Sequence, residues 1–339
     1  MAALKFLAFC VLFACFPGAS DATAQAASQT NLFEFHSGFW INLHHFLYQQ
    51  AHVEVTRKGP RPASLTAADS AALEGLSLQE RENWSSAVGY YTRELAKRDL
   101  LFDDGLITIK NNLEDAETSP DLAGVLIPPQ LKAVLLSAAP IYRKYWWRAH
   151  DAANRKWIAE LTPLVQRYGS TISARMIAIY SQPWPQYPVR VDSVAYANWA
   201  GAYTTLEPTR PTISTSAQAN QGVAALEIVF HETSHGMMDK VMQAIGAAEA
   251  NINAHRSGNP YHSGSIWHAV LFYTAGELVS EQIPGYVAYA DKNGLWIRAW
   301  PAPDRAVIEQ DWKPHINRAS SLEPALTKLV ADLASASSH

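Results

Sequence analysis

The stretch from Val223 to Met242 constrains this chain more than any other: it is largely apolar and carries His231-Glu232-Thr233-Ser234-His235. At 3.6 residues per turn, two histidines four positions apart stand one turn apart on one helix face, where their imidazoles can share a single ion. Glu232 is rotated about 100° from His231. Its carboxylate therefore stands beside such an ion rather than on it, placed to take a proton from water. A bare H-E-x-x-H pattern arises by chance in about one chain in fifty of this length and histidine content, so its surroundings decide its meaning. Ile228-Val229-Phe230 precede it, Thr233 and Ser234 bring no charge, and Gly236-Met237 follow. That context reads as a buried helix rather than an amphipathic one with two surface histidines.

The choice of further ligands is narrow. Both cysteines, Cys10 and Cys15, fall within the first two dozen residues, where Lys5, the apolar run Phe6 to Phe16 and the small-residue triplet Ala22-Thr23-Ala24 read as a signal peptide over residues 1–24. Cleavage near Ala24 gives a secreted or periplasmic protein with no cysteine, leaving histidines and carboxylates to bind a metal. The apolar run is shorter than the roughly 20 residues that span a bilayer, so no permanent membrane span is expected. A lipid anchor at Cys15, within Leu12-Phe13-Ala14-Cys15, is the competing reading. The formal net charge is −4 and basic residues are scattered, apart from a loose group between Arg143 and Lys156 that suits the wet face of a helix. Nothing points to nucleic acid. Asn83-Trp84-Ser85 fits a glycosylation acceptor, a triplet common by chance.

The pattern of the chain predicts an α+β fold, predominantly helical. Residues 25–180 read as a helical N-terminal region, with helices over Leu32 to Gln50, Leu78 to Lys97, Pro129 to His150 and Asp151 to Tyr168, the last stopping at Gly169. Arg57 to Pro62 reads as a loop. Residues 181–339 form the second region. Prolines punctuate Gln182 to Ser216, and short runs of Val, Tyr and Thr there predict a small β-sheet from Val189-Arg190-Val191, Tyr196 to Tyr203 with a bend at Gly201, and Ile213-Ser214-Thr215. Helical periodicity returns after Asn220 through Met242, then over Ser265 to Gln282 and Leu322 to Ala334. Eleven Trp, 14 Tyr and 11 Phe make the chain rich in aromatic residues.

Around its metal-binding helix the chain resembles the zincin superfamily of metallopeptidases. The resemblance covers mainly Ala195 to Tyr289 and implies a zincin-like catalytic region in which His231 and His235 hold Zn2+ and Glu232 is the general base. Metzincins carry Gly and His where this sequence has Met238 and Val241, so the third ligand must come from elsewhere. Gluzincins take it from a glutamate on a later helix, which implies Glu277, with Glu281 one turn on orienting a ligand histidine. The residues agree: Trp267 to Val279 is an apolar helix in which an unpaired carboxylate would cost several kcal/mol. Competing ligands are His255, His262, His268, Glu249 and Asp239. His268 precedes Glu277 by nine residues, about half a turn out of phase, so one helix cannot easily aim both at one ion. The resemblance also implies that Tyr196 to Tyr203 is an edge strand that pairs with an extended peptide. Tyr286, Tyr289, Arg298 and His315 are candidate donors to an oxyanion.

The expectation is an exported zinc metallopeptidase acting on a peptide or protein substrate. Two alternatives stand beside it. One is a zinc hydrolase of a non-peptide bond, such as an amide in cell-wall or carbohydrate material. The other is a non-catalytic binding protein that retains the helix without the metal.

Overall fold

The computed structural model describes residues 31–55, 64–301 and 304–336. The signal peptide and the Arg57 to Pro62 loop lie outside these residues. The fold is α+β and mostly helical, with one small sheet. A short strand, β1 (Phe33–His36), opens it, followed by α1 (Phe39–Val55), α2 (Ala67–Glu74), α3 (Leu78–Glu94), α4 (Asp104–Asp115), α5 (Pro129–Tyr142) and the long α6 (Arg148–Tyr180). Then come β2 (Val189–Val194), β3 (Ala202–Thr205) and β4 (Arg210–Ser214). The rest is helical: α7 (Val223–Ser234), α8 (Asp239–Ala254), α9 (Ile266–Gln282), α10 (Tyr289–Lys292), α11 (Leu295–Arg298), α12 (Asp304–Asp311), α13 (Lys313–Ile316) and α14 (Leu322–Ala336). Among the described residues no helix is long and apolar enough to cross a membrane.

The sheet runs β1-β2-β4-β3. Phe33 pairs in parallel with Val189 and Asp192 in parallel with Thr212, whereas β3 lies antiparallel to β4 at the edge, Tyr203 opposite Thr212. Side chains alternate across a strand, and the sheet uses both of its faces. Phe33, Val189, Val191, Ala202 and Ile213 join α6, α7 and α9 in one buried cluster. Val194 and Tyr203 join α1, α3, α4 and α5 in the other. The division between the clusters does not fall at residue 180: the second half of α6 packs with the C-terminal helices. Asn42 of α1 ties the layers together, donating to the Ser193 carbonyl and accepting from the Ala195 amide and from Asn154 of α6.

Three expectations about element boundaries change: the strand read over Tyr196 to Tyr203 starts only at Ala202, as β3. Phe33 and Phe35 are read by periodicity as the start of a helix, but they form β1, because both rings reach the same apolar layer by period two. Gly169 does not stop a helix; α6 continues through it. A Cβ there would stand 2.9 Å from Leu32 Cδ1, so this glycine serves close packing rather than termination.

Candidate metal centre

Every residue of α7 from Ala224 to Ser234 is buried, so the helix is held by packing on all sides. It ends as the motif ends: His235 opens a tighter 3-10 turn through Met237. Gly236 lets Thr209 and Pro185 close against that turn, since a Cβ would collide with the Thr209 hydroxyl and stand 3.0 Å from Pro185 Cγ. Helix α9 packs across α7 and presents His268 from its first turn.

The ligand atoms of His231, His235 and His268 all lie within 4.8 Å of one another. His231 Nε2 and His268 Nε2 stand 3.2 Å apart. Tetrahedral zinc with bonds of about 2.0 to 2.1 Å would hold two nitrogens about 3.3 Å apart, so this spacing fits an ion between them. Burial keeps all three rings neutral, the form that binds metal. It holds His231 well below the usual histidine range, and pushes His235 down to about 3 and His268 down to about 4. The residues thus form a site that can hold a metal ion.

Aromatic rings fix the imidazoles. Phe272, one turn after His268 on α9, stacks on His231 with centroids 3.6 Å apart. Trp300 meets His268 edge-on at 6.0 Å and is anchored through its indole N–H to Ser265. Trp267 meets His235 edge-on at 5.6 Å. His231 Nδ1 is buried and has no hydrogen-bond partner among the described residues, so stacking on Phe272 orients this ring where an acceptor more often does.

Glu232 is 4% exposed, and its Oε2 lies 3.9 Å from His235 Nε2, beside the ligand group. Burial pushes its carboxyl up to about 7, opposed by a hydrogen bond of 2.8 Å from the Thr204 hydroxyl of β3 to Oε2. A carboxyl poised there can both accept and return a proton near neutral pH.

The third-ligand expectation is corrected. Glu277 does not reach the histidines; its carboxylate pairs with Lys313 Nζ at 3.0 Å, half-buried on the far part of α9. Nine residues separate it from His268, roughly 13 Å along a helix axis, so only one of the two can stand level with His231. The phase argument holds, but His268 occupies the position. Glu281 likewise orients no ligand: Arg175 of α6 holds it at 2.8 Å. Of the other competitors, Glu249 accepts from the Ser263 amide and hydroxyl, and the exposed His262 lies near it at 3.7 Å.

The oxyanion candidates separate as well. His315 is bound to the Ser320 and Ile179 carbonyls, and Arg298 donates to the Asn293 carbonyl. The Tyr286 hydroxyl donates to Glu227 Oε2 at 2.7 Å, and the Tyr289 amide donates to the same oxygen at 2.8 Å. Tyr289 keeps its ring stacked on Phe272, and burial, then the Glu232 and Glu227 charges, push its phenol up to about 12. It is the candidate of the four that lies near Glu232.

Among family models, curated proteins and solved structures, none matches this chain. The site therefore stands on its own geometry. No sequence pattern marks Thr204 or Glu227, and helix phase alone ranks His268 behind Glu277. The available signal for His268 was its place at the start of an apolar helix with Phe272 one turn on, whereas Glu277 had a lysine downstream to pair with.

Proposed function

We propose that this chain is an exported zinc-dependent hydrolase of the zincin type, acting on the acyl carbon of a peptide bond. The observation that supports the reading best is the joint placement of three imidazoles with Glu232 beside them. A bound zinc ion supplies Lewis acidity, polarising a carbonyl and making water acidic enough to be deprotonated near pH 7. His231, His235 and His268 would hold the ion. Glu232 takes the proton from water, keeps it within its buried pocket, and returns it to the leaving amine. Thr204 steadies the carboxylate, and the rings of Phe272, Trp267 and Trp300 exclude water from the histidines' flanks.

One observation favours a second reading, a non-peptide amide as substrate. β3 is the edge strand that packs on α7, yet all four of its residues are buried, which leaves little open edge there for an extended peptide to pair with. The aromatic rings about His268 suit a smaller or cyclic substrate equally well.

Metal quantification of the purified mature protein, coupled to turnover of a quenched-fluorescent peptide library with and without chelator, tests the proposal. One equivalent of zinc and chelator-sensitive cleavage are expected. Glu232→Gln should keep the zinc and lose about 10² to 10⁴ in turnover, the usual contribution of a positioned general base. Zinc-dependent activity confined to amides of sugars or cell-wall fragments would select the second reading. Absence of metal would leave a binding protein. Export rests on residues 1–24 alone, and N-terminal sequencing of the mature protein checks it.

A further inference from the structure

Thr204 is buried at 5% exposure, and its hydroxyl lies 2.8 Å from Glu232 Oε2 and 2.9 Å from the Glu232 carbonyl. The hydroxyl carries one proton, so at any moment it donates to one of these two oxygens of the same residue. Oε2 is also the oxygen that faces His235 Nε2 at 3.9 Å. A glutamate side chain has three rotatable bonds, and a donor fixed on a strand removes much of that freedom. The neighbouring strand residues face the opposite way. The Tyr203 hydroxyl meets His45 Nε2 of α1 at 2.8 Å, and Thr205 Oγ1 accepts from Lys110 Nζ of α4 at 2.8 Å. Lys110 is itself fully buried, held by Glu114 at 2.9 Å and by the Arg210 carbonyl at 3.0 Å. On one face of β3, then, sits the partner of Glu232; on the other sit two buried contacts from the N-terminal helices.

We propose that Thr204 is a positioning residue for Glu232, and that α1 and α4 serve the site by clamping β3 from behind through Tyr203 and Thr205. This rests on the hydrolytic reading above, in which Glu232 handles the proton. It gives the N-terminal helical region a role: that region fixes the strand that aims the base.

The test uses the full mature chain loaded with cobalt(II), whose visible band reports both occupancy and ligand binding. The probe is acetohydroxamate, which chelates the ion and passes its proton to a neighbouring base. Thr204→Val keeps the shape and removes the donor; Thr204→Ser keeps the donor. Cobalt uptake should stay within twofold of the parent in both. Acetohydroxamate affinity should fall about tenfold in T204V, the scale of one hydrogen bond to a charged group, and stay within about threefold in T204S. Where library turnover is measurable, kcat should fall by a similar factor in T204V with KM unchanged. In a Glu232→Gln background T204V should have no further effect, because the two residues act as a unit.

T204V with parental acetohydroxamate affinity overturns the proposal, and so does a loss in T204S equal to that in T204V. Should T204V not fold, Thr204→Cys takes its place as the weak-donor variant, with the same criteria. Parental protein that takes up no cobalt or zinc refutes the metal centre itself, a result distinct from metal uptake with an indifferent T204V.

Discussion

Replacing His268 by alanine separates the observed ligand set from the one the gluzincin resemblance implied. Structural zinc sites in small domains bind with apparent free energies of about 10 to 16 kcal/mol. Shared among three imidazoles, the lower end is about 3 kcal/mol per ligand, or roughly two orders of magnitude in affinity. The ring of His268 is also packed between His231, Trp267 and Trp300, so its loss frees His231 Nε2 from its near neighbour at 3.2 Å and loosens the rings around it. His268→Ala should therefore weaken zinc binding at least 100-fold, measured by competition against a chromophoric chelator of known affinity. Glu277→Ala removes only a half-exposed ion pair with Lys313, worth about 0 to 1 kcal/mol of stability, and should change zinc affinity less than threefold. Retention of zinc by His268→Ala together with its loss in Glu277→Ala would refute the assignment. It would show that the side chains rearrange around the ion.

Three further outcomes follow from the same geometry. Zinc present at 100 times its dissociation constant adds about 2.7 kcal/mol to folding stability, which for a chain of this size raises the melting temperature by about 4 °C; chelator should abolish that increment in the parent and find none to abolish in His235→Ala. Glu227, whose carboxyl burial pushes up to about 7, is still protonated in the folded state where the unfolded chain has already ionised it, so it lowers stability as pH rises from about 4.5 to 7. Relative to the parent, Glu227→Gln should gain up to about 3 kcal/mol across that window, read from urea unfolding at pH 5 and pH 8; a constant difference between the two would refute the shift. Lys110→Ala leaves the fully buried Glu114 without its nearest cation and should cost about 3 to 5 kcal/mol by the same unfolding assay, whereas a loss below 1 kcal/mol would mean that Arg210 suffices to hold the carboxylate.

How much of this was legible in the sequence depends on whether the information was local. The apolar run around His231 and His235 announces a buried helix, and α7 is one. The prolines and β-branched residues between Gln182 and Ser216 announce strands, and β2, β3 and β4 lie there. What failed was non-local. β1 has only four residues and becomes a strand because β2, more than 150 positions later, offers it a parallel partner. Gly169 looks like a helix stop until Leu32 is seen against it. The rank of His268 against Glu277 turned on which level of α9 crosses α7, and on a lysine at 313 whose proximity to Glu277 no periodicity reveals. Thr204 could not be read either, because one hydroxyl in a short strand carries no pattern.

The N-terminal helices illustrate the same limit with a functional consequence. Taken as a separate helical region, residues 25–180 have no evident bearing on a metal site more than fifty positions further on. Their buried polar side chains change that view. His45 and Lys110 are fully buried groups that burial alone would make costly, yet each reaches a residue of β3 rather than a partner within its own helix layer only. A polar group placed in an apolar layer and satisfied across a layer boundary specifies one register between the two layers, because a one-residue slip of β3 would present Thr204 where Tyr203 or Thr205 now stands. The register that satisfies His45 and Lys110 is the same register that turns Thr204 toward Glu232. Specificity of packing on one face of the strand thereby becomes orientation of a carboxylate on the other.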